Sequence, residues 1–171
     1  MKHPLAQDLN HILDHTEGLW GELRGQRLFM TGGTGFFGTW LLESFAWAND
    51  RLDLHASLVV ITRDPDAFRV KAPHLAAHHA IRFERGDVRD FTFPAGEFSH
   101  AVHAAATSAV DTFRNEDPLV KFDTLVEGTR HTLDFCVMHH VKKMLYTSSG
   151  AVYGVPPTDM THIPEDYRGA P

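Results

Sequence analysis

The sequence predicts an α/β fold in which a doubly wound parallel sheet is preceded by an N-terminal helical segment. Three observations support this fold class. Short apolar runs alternate with longer segments of helical periodicity along most of the chain. A glycine-rich segment, residues 31–38, directly follows the first apolar run. A hydrophobic content of 43% with 22% charged residues in a chain of 171 residues is typical of one globular domain.

The first 24 residues stand apart from this alternation. Their apolar residues follow a helical spacing that is broken near Gly18 and Gly21. We therefore expect a helical lead-in over residues 1–24 and an α/β domain over residues 25–171. The sequence leaves open whether the lead-in packs against the domain or forms an oligomer contact.

Five apolar runs predict the strands of the sheet, which we expect to be about five-stranded and incomplete. They cover residues 27–31, 57–62, 81–84, 101–104 and 144–148. Because helical segments lie between them, the sheet is expected to be parallel, with ligands bound at the carboxyl ends of its strands. The segment 37–48 predicts a helix that carries on one side Phe37, Leu41, Phe45 and Ala48.

A second long helix is predicted between the fourth and fifth strands. Asp117 supplies an N-terminal cap, and Pro118 fits the first helical position. An apolar repeat at helical spacing follows and comprises Leu119, Phe122, Leu125, Val126, Thr129, Leu133 and Cys136. Because the chain has a single cysteine, Cys136 forms no internal disulfide, and we expect a small core residue rather than a nucleophile.

Composition and charge argue against several classes of partner. A formal net charge of -6 disfavours nucleic acid and anionic membranes as partners. No stretch approaches the roughly 18 apolar residues of a membrane span, and the first residues lack an apolar signal segment. These features predict a cytoplasmic protein without a nucleic-acid or membrane partner.

Thirteen histidines raise the question of a metal site. His74, His78 and His79 have helical spacings that suit metal ligands, as do His11 and His15. No cysteine or acidic cluster accompanies them in the sequence. We therefore predict no metal site and expect these histidines to lie at the surface.

The glycine-rich segment has the spacing of a phosphate-binding loop between a strand and a helix. Gly32 suits a tight turn with positive φ, Gly35 lets the backbone approach a pyrophosphate, and Gly38 lets the helix pack close to the sheet. The N–H groups of the first helical turn would then face the phosphates. A GxxxxGK[ST] loop is excluded because no Lys-Ser/Thr pair follows the last glycine. Dinucleotide binding is the remaining prediction.

Five motifs in family order resemble those of the extended short-chain dehydrogenase/reductases, the NAD(P)-dependent epimerase/dehydratase family that acts mostly on nucleotide sugars. The glycine-rich segment matches the family's TGxxGFxG loop. The other four are Gly86 to Asp90, His103 to Ala106, Gly128-Thr129 and Ser148 to Gly154. The resemblance implies a Rossmann-like fold, NAD or NADP as cofactor, a nucleotide-sugar substrate, and a homodimer for the full-length enzyme.

The resemblance also implies roles for individual residues. Asp87 would accept a hydrogen bond from the adenine amino group, while Val88 covers the face of the adenine ring. Ser149 would be the active-site serine that holds the reacting sugar oxygen, and Thr107 and Ser108 would join it in binding the substrate. The implied cofactor-binding residues are Gly32, Thr34, Gly35, Phe36, Phe37, Gly38, Arg63, Asp87, Val88, Ala104, Ala105 and Ala106.

The end of the second strand bears on the phosphate state of the cofactor. Arg63 stands where the family usually has the Asp that binds the ribose 2′-hydroxyl of NAD, and an arginine can pair with a 2′-phosphate. We therefore expect NADP rather than NAD. Asp64 could instead pair with Arg63 or reach the ribose, and Arg63 could be a solvated surface residue.

Departures from the family pattern bear on the reaction. The nucleoside-diphosphohexose 4,6-dehydratases place an acid pair before their Val-Tyr-Gly segment, where this chain has Gly150-Ala151. They also carry a Glu and a His at the positions of Thr107 and Ala109, and the family usually has an Asn at the position of Leu125. We therefore favour an epimerase or keto-sugar reductase, with a 4,6-dehydratase as the alternative.

The family's catalytic Tyr-x-x-x-Lys pair is absent from the sequence. In that pair the lysine lowers the pKa of the tyrosine, so the phenolate takes a proton from the sugar hydroxyl while hydride passes to the nicotinamide. Tyr146, Tyr153 and Tyr167 all lack a lysine four positions later. We expect the pair beyond Pro171, which makes the chain a cofactor-binding fragment that is inactive by itself. A non-catalytic dinucleotide-sensing module is the other alternative.

Overall fold

The predicted fold class is confirmed by the computed structural model, which describes residues 3–106 and 117–169. The strands of the described part form one parallel sheet in the order β3-β2-β1-β4-β5. Their bounds are Arg27–Thr31 (β1), Ser57–Thr62 (β2), Ile81–Arg85 (β3), His100–His103 (β4) and Lys143–Tyr146 (β5). This sheet is Rossmann-like, because the strand order reverses between β1 and β4.

Helices separate most of the strands as expected, but β4 follows β3 with only turns between them. Their bounds are Ala6–His15 (α1), Phe36–Arg51 (α2), Pro65–Lys71 (α3), Pro73–Ala76 (α4) and Pro118–Met138 (α5). Short 3-10 turns cover Trp20–Leu23 and Gly150–Tyr153. Among the described helices, none has the length and apolar character that a membrane crossing requires.

Apolar side chains on the two faces of the sheet form two separate cores. One core lies beneath α2, α3 and α4 and includes Leu28, Met30, Leu42, Phe45, Leu58, Val60, Phe68, Leu75 and Ile81. The other lies beneath α5 and includes Phe29, Val59, Ile61, Phe91, Phe98, Ala101, Phe135 and Cys136. Side chains that alternate along β1 and β2 therefore enter opposite cores, as expected for strands covered on both faces.

The buried face of α2 agrees only in part with the predicted face, of which Phe45 and Ala48 are buried as expected. Phe37 is 73% exposed and Leu41 is also exposed, whereas Leu42 and Phe45 enter the core. Gly38 sets this orientation, because a Cβ there would overlap the carbonyl oxygen of Gly32. The side of the helix that carries Gly38 therefore lies against the sheet, and the inward stripe continues at i+4 and i+7.

The long apolar repeat of α5 is helical as predicted, but most of it faces away from the sheet. The inward side carries Gly128, Thr132, Phe135 and Cys136. Cys136 is a buried core residue as expected, and burial raises the pKa of its thiol. The exposed part of the repeat comprises Leu119, Phe122, Leu125, Val126 and Leu133.

The N-terminal lead-in packs on the domain, which is one of the two alternatives that the sequence left open. Leu9 of α1 is buried, and Leu13, Trp20 and Leu23 pack against the core beneath α2. The Arg24 guanidinium donates hydrogen bonds to two carbonyl oxygens just after α2. These contacts fix the lead-in along the outer side of α2.

Candidate cofactor site

The loop between β1 and α2 forms an open cradle at the carboxyl edge of the sheet. Gly32 has a φ of 75°, and a Cβ there would overlap the backbone of Ala104 at the end of β4. Gly35 lies at the start of α2, where a Cβ would meet only the Gly32 carbonyl oxygen, at 3.5 Å. The chain thus passes closely between two strand ends while leaving open space above Gly35.

The first turn of α2 faces this cradle without a side-chain cap. Gly35 is the N-cap residue and offers no side-chain acceptor to the amides that follow. Unpaired N–H groups and the helix dipole favour an anion at such a position. Together with the space above Gly35, this arrangement fits the pyrophosphate of a dinucleotide.

A cavity of about 540 Å³ extends from the cradle along the ends of β2, β3 and β4. Nine of the twelve predicted cofactor-binding residues line it: Gly32, Thr34, Gly35, Arg63, Asp87, Val88, Ala104, Ala105 and Ala106. Gly38 instead makes the helix contact described above. The rings of Phe36 and Phe37 lie outside the cavity, pack edge to face, and are 72% and 73% exposed.

Asp87, after β3, is held by Arg89. Arg89 Nε donates to one carboxylate oxygen at 2.8 Å and Nη2 donates to the other at 3.0 Å. These hydrogen bonds hold the pKa of the Asp87 carboxyl below its usual value, with a smaller contribution from the charge of Arg63. The carboxylate is therefore an anionic acceptor at the cavity wall, and Arg89 is a wall residue that the motif comparison missed.

Basic groups gather where β2 ends. The carbonyl of Arg63 accepts from Arg85 at 2.8 Å, and within residues 3–106 and 117–169 no ion pair uses the Arg63 guanidinium. Asp64 also lines the cavity, where it caps α3 by accepting from Ala67 N–H at 3.1 Å and lies 3.9 Å from the Arg85 guanidinium. Lys71 Nζ donates to the Thr34 carbonyl at 3.0 Å and brings a second cation to the same wall.

Lys71 could not be identified from the loop spacing, because it comes from the last turn of α3. A lysine nine positions after a strand end carries no motif of its own. Its place at the wall follows from α3 folding back towards the glycine-rich loop.

A buried polar network supports the end of β4. His103 Nδ1 lies 2.6 Å from Thr31 Oγ1, and its Nε2 lies 3.2 Å from Thr129 Oγ1. Burial lowers the pKa of the His103 imidazole, so the ring is held neutral. Two of the motifs, His103-Ala104 and Gly128-Thr129, thus meet in one network that ties β1, β4 and α5 together.

Two further motifs meet where Val88, after β3, packs against Gly128 of α5. A Cβ at Gly128 would come within 2.7 Å of a Val88 methyl group. The missing side chain on α5 therefore lets Val88 settle at the wall of the cavity, where the prediction places it beside the adenine.

Ser149 lies outside the cavity wall. It is exposed after β5 and caps the 3-10 turn Gly150–Tyr153, where its Oγ accepts from Ala151 N–H at 3.2 Å. The predicted substrate-binding residues Thr107 and Ser108 lie outside the described residues.

Known proteins resemble the chain in both sequence and structure. The family model for the NAD dependent epimerase/dehydratase family matches residues 28–169. UDP-glucose 4-epimerase 2 of Oryza sativa subsp. japonica is 33% identical over 142 residues, which cover 75% of this chain and 32% of that protein.

Two solved structures share the fold. The UDP-Glc/GlcNAc 4-epimerase of Campylobacter jejuni has a TM-score of 0.67 at 24% identity, with 85% of this chain and 43% of that chain covered. DesIV, a dTDP-glucose 4,6-dehydratase of Streptomyces venezuelae solved with NAD and TYD bound, has a TM-score of 0.60 at 29% identity. That match covers 77% of this chain and 42% of the dehydratase. The chain thus spans less than half the length of these relatives.

Proposed function

The chain belongs to the NAD dependent epimerase/dehydratase family, and from this membership we propose that it is the cofactor-binding part of a nucleotide-sugar epimerase or keto-sugar reductase. The observation that carries the proposal is the cradle in which Gly32 packs against the end of β4 while the space above Gly35 stays open. Several similar proteins are UDP-glucose 4-epimerases, which favours epimerisation of a UDP-sugar.

In this proposal the chain binds and orients the reactants. Bound NAD or NADP would supply the acceptor and donor of hydride at a sugar hydroxyl carbon. The cradle and the first-turn amides of α2 would hold the pyrophosphate, while Asp87 and Val88 contact the adenine. Ser149 Oγ accepts from Ala151 N–H, which leaves its hydroxyl proton able to donate to the reacting sugar oxygen. A Tyr-x-x-x-Lys pair beyond Pro171 would move the proton.

NADP is the proposed cofactor form. The Arg63 guanidinium and the Lys71 ammonium lie at the same wall of the cavity, and Asp64 is engaged as a helix cap. Two basic residues at this position favour a 2′-phosphate over a 2′-hydroxyl, because the one carboxylate beside them, that of Asp64, is engaged by Ala67 N–H and by Arg85. The solved DesIV structure was determined with NAD, so this preference would be a difference between the two proteins.

A 4,6-dehydratase is the second candidate, because DesIV shares 29% identity with the chain. The 3-10 turn that starts at Gly150 carries no carboxyl at its first two positions, where dehydratases place their acid pair.

A dinucleotide-sensing module is the other alternative, and it would need the cradle but no Tyr-Lys pair. The residues encoded after Pro171 distinguish sensor from enzyme: without a Tyr-x-x-x-Lys there, the enzyme proposal fails.

We also propose a cytoplasmic homodimer with no nucleic-acid or membrane partner. The net charge of -6 repels large polyanions such as nucleic acid. A small anionic ligand can still bind where basic residues lie close together, as Arg63 and Lys71 do at the cavity wall.

A Gly35→Ala variant of the full-length protein tests the proposal. The new Cβ would meet no protein atom closer than 3.5 Å, so the fold is expected to persist, but the methyl group would enter the space proposed for the pyrophosphate. We expect dinucleotide affinity to fall about tenfold or more, or ~1.4 kcal/mol. The matched control is Gly21→Ala, where a Cβ would meet nothing within 4 Å.

Thermal-shift titration and UDP-sugar epimerisation would be measured on both variants. A ligand present at 100 times its Kd stabilises by about 2.7 kcal/mol, which makes lost binding visible as a lost shift. Unchanged binding in the Gly35 variant would contradict the proposed cradle, and the absence of any dinucleotide shift in the wild type would contradict the function.

A further inference from the structure

Glu43 of α2 is a buried carboxylate outside the cofactor cavity. Its side chain is 8% exposed and lies between two imidazoles. His74 Nε2 lies 2.7 Å from Oε1, and His3 Nε2 lies 3.4 Å from Oε2. A carboxylate removed from water requires a partner of opposite charge, strong hydrogen-bond donors or a metal ion.

The three residues come from three separate parts of the fold. His3 precedes α1, Glu43 lies in the middle of α2, and His74 lies in α4. None of them lines the cofactor cavity. Sequence spacing could not reveal this cluster, because Glu43 lies forty residues after His3 and thirty-one residues before His74. The spacing instead suggests that His74 belongs with His78 and His79.

Packing holds the His3 segment in place independently of Glu43. Leu9 is buried beneath α1, and Trp47 Nε1 of α2 donates to Asn10 Oδ1 at 3.1 Å. The His3 ring lies 5.6 Å from the Trp47 ring and 5.5 Å from the His74 ring. The two imidazoles are therefore presented to the carboxylate by the fold.

We propose that His3, Glu43 and His74 bind a divalent transition-metal ion, with Zn²⁺ as the best fit. One ligand atom from each residue lies within 4.8 Å of the others. In a tetrahedral zinc site with bonds near 2.0–2.1 Å, ligand atoms lie about 3.4 Å apart. His3 Nε2 and Glu43 Oε2 already have this separation, at 3.4 Å. His74 Nε2 lies 2.7 Å from the other carboxylate oxygen, Oε1, so the His74 ring or the carboxylate has to shift for one ion to bind all three residues.

The donor set selects the class of metal. Two imidazoles and one carboxylate suit Zn²⁺ and its neighbours in the transition series, whereas Mg²⁺ and Ca²⁺ prefer oxygen ligands throughout. His74 is about half exposed, so water can reach a fourth coordination position. The site would be a three-ligand site with one solvent position.

Metal binding would replace the direct contacts between Glu43 and the two imidazoles, since ligands bind in their deprotonated forms. His3 Nδ1 lies 3.3 Å from the Leu5 N–H, and coordination through Nε2 would leave the ring proton on Nδ1. The long Leu5 contact would then be lost. Leu5 precedes the first turn of α1, where water commonly satisfies a released amide.

A second histidine cluster on the same surface provides a comparison. Asp50, His78 and His79 also place ligand atoms within 4.8 Å of one another. The Asp50 side chain is 56% exposed, however, and His78 lies 3.3 Å from it. An exposed carboxylate has no need of a metal to compensate lost hydration, so we propose no site there.

A bound ion would join the lead-in, α2 and α4. Because α2 begins at the glycine-rich loop, an ion bound at Glu43 would also stabilise the position of the helix whose first turn forms part of the cradle. The metal proposal does not rest on the proposed function, since its three ligands have no place in the cofactor site.

Calorimetric titration of Zn²⁺ into the full chain tests the proposal, using protein without a histidine tag and freed of metal by a chelator. We expect one Zn²⁺ per chain at this site. The affinity should fall about tenfold or more in Glu43→Gln and in His3→Ala, because losing even an outer-shell partner of a ligand typically costs about tenfold or more. His3 lies near the terminus, so its variant is expected to fold even where the Glu43 variant does not. The matched control, His78→Ala, is expected to bind as the wild type does.

Trp47 provides a second measurement. Cu²⁺ at the site is expected to quench its fluorescence, because the His3 ring lies 5.6 Å from the indole, and the quenching should be lost in Trp47→Phe and in His3→Ala. No Zn²⁺ binding by the wild type would overturn the proposal. Binding that persists in the Glu43 and His3 variants and falls in His78→Ala would assign the metal to the exposed cluster and would overturn it equally.

Discussion

At the level of single residues, the proposed preference for NADP depends on Arg63. Arg63 lines the cavity and has no ion-pair partner among the described residues, whereas Arg69 on the neighbouring helix is engaged by Asp66 at 2.6 Å. A charge-assisted hydrogen bond contributes about 1.5–3 kcal/mol. Arg63 should therefore contribute to binding of the 2′-phosphate of NADP and little to binding of NAD.

We expect Arg63→Ala to weaken NADP about tenfold or more and to leave NAD nearly unchanged, since ~1.4 kcal/mol corresponds to a factor of ten. Fluorescence or calorimetric titration of the full-length protein with both dinucleotides measures the effect. Arg69→Ala is the matched control, because it removes a nearby charge that does not line the cavity. Equal losses for both cofactors would contradict the NADP proposal.

His103 makes a pH-dependent contribution to stability. Its pKa is lower in the folded protein than the ordinary value of 6.5, because burial disfavours the charged ring. The unfolded chain therefore binds the proton more readily than the folded chain. The stabilisation is fully present above pH 6.5 and is lost as the pH falls from there through the lower folded value.

The free energy of unfolding of the wild type should thus fall more steeply below pH 6.5 than that of His103→Gln, which keeps polar groups near the threonines but does not titrate. Urea denaturation over a series of pH values measures both slopes. His162→Gln, at an exposed histidine, should keep the wild-type slope. Parallel slopes for wild type and His103→Gln would show that the ring does not act in this way.

At the level of elements, the contact between α5 and the loop after β3 depends on Gly128. Alanine in an exposed helix usually stabilises relative to glycine by about 1 kcal/mol. Here the new Cβ would come within 2.7 Å of a Val88 methyl group, and overpacking of this kind costs about 1–3 kcal/mol. We expect the steric cost to exceed the gain in helix propensity.

Gly128→Ala should therefore lower the free energy of unfolding, and the double variant Val88→Ala/Gly128→Ala should recover much of the loss. A double-variant cycle by urea denaturation measures the coupling between the two positions. A Gly128→Ala protein as stable as the wild type would mean that α5 can shift away from Val88 at little cost.

Elements differ in how far the sequence predicts them. β1 and β2 begin and end where expected, because their apolar runs are bounded by clear turn signals. β5 ends at Tyr146, two residues before the predicted end, because pairing with β4 stops at His103. Strand ends depend on the partner strand, and the partner is not visible in a local pattern.

At the level of the whole molecule, an apolar surface runs along the outer side of α5. Phe122 is 61% exposed and Val137 is 75% exposed. Several large exposed apolar side chains on one helix indicate a candidate interface. We propose that a second copy of the protein covers it in the proposed homodimer.

Self-association tests this proposal. The wild type should sediment as a dimer or larger species at micromolar concentration, and Phe122→Glu/Val137→Glu should shift it to the monomer, because burying two carboxylates in an apolar contact is costly. Val70→Glu is the control, because Val70 is also exposed but belongs to α3, which covers the opposite face of the sheet from α5. A double variant that remains dimeric would place the interface elsewhere.

The sequence by itself predicted the fold class, the order of the strands and the position of the glycine-rich loop, because these follow from local periodicity and from the spacing of the glycines. Tertiary structure alone decided which sides of α2 and α5 face the sheet, and that Lys71 joins Arg63 at the cavity wall. It also brought His3 and His74 to Glu43. Each of these depends on contacts between residues far apart in the chain, and a pattern of neighbouring residues contains no information about the direction in which a helix is finally packed.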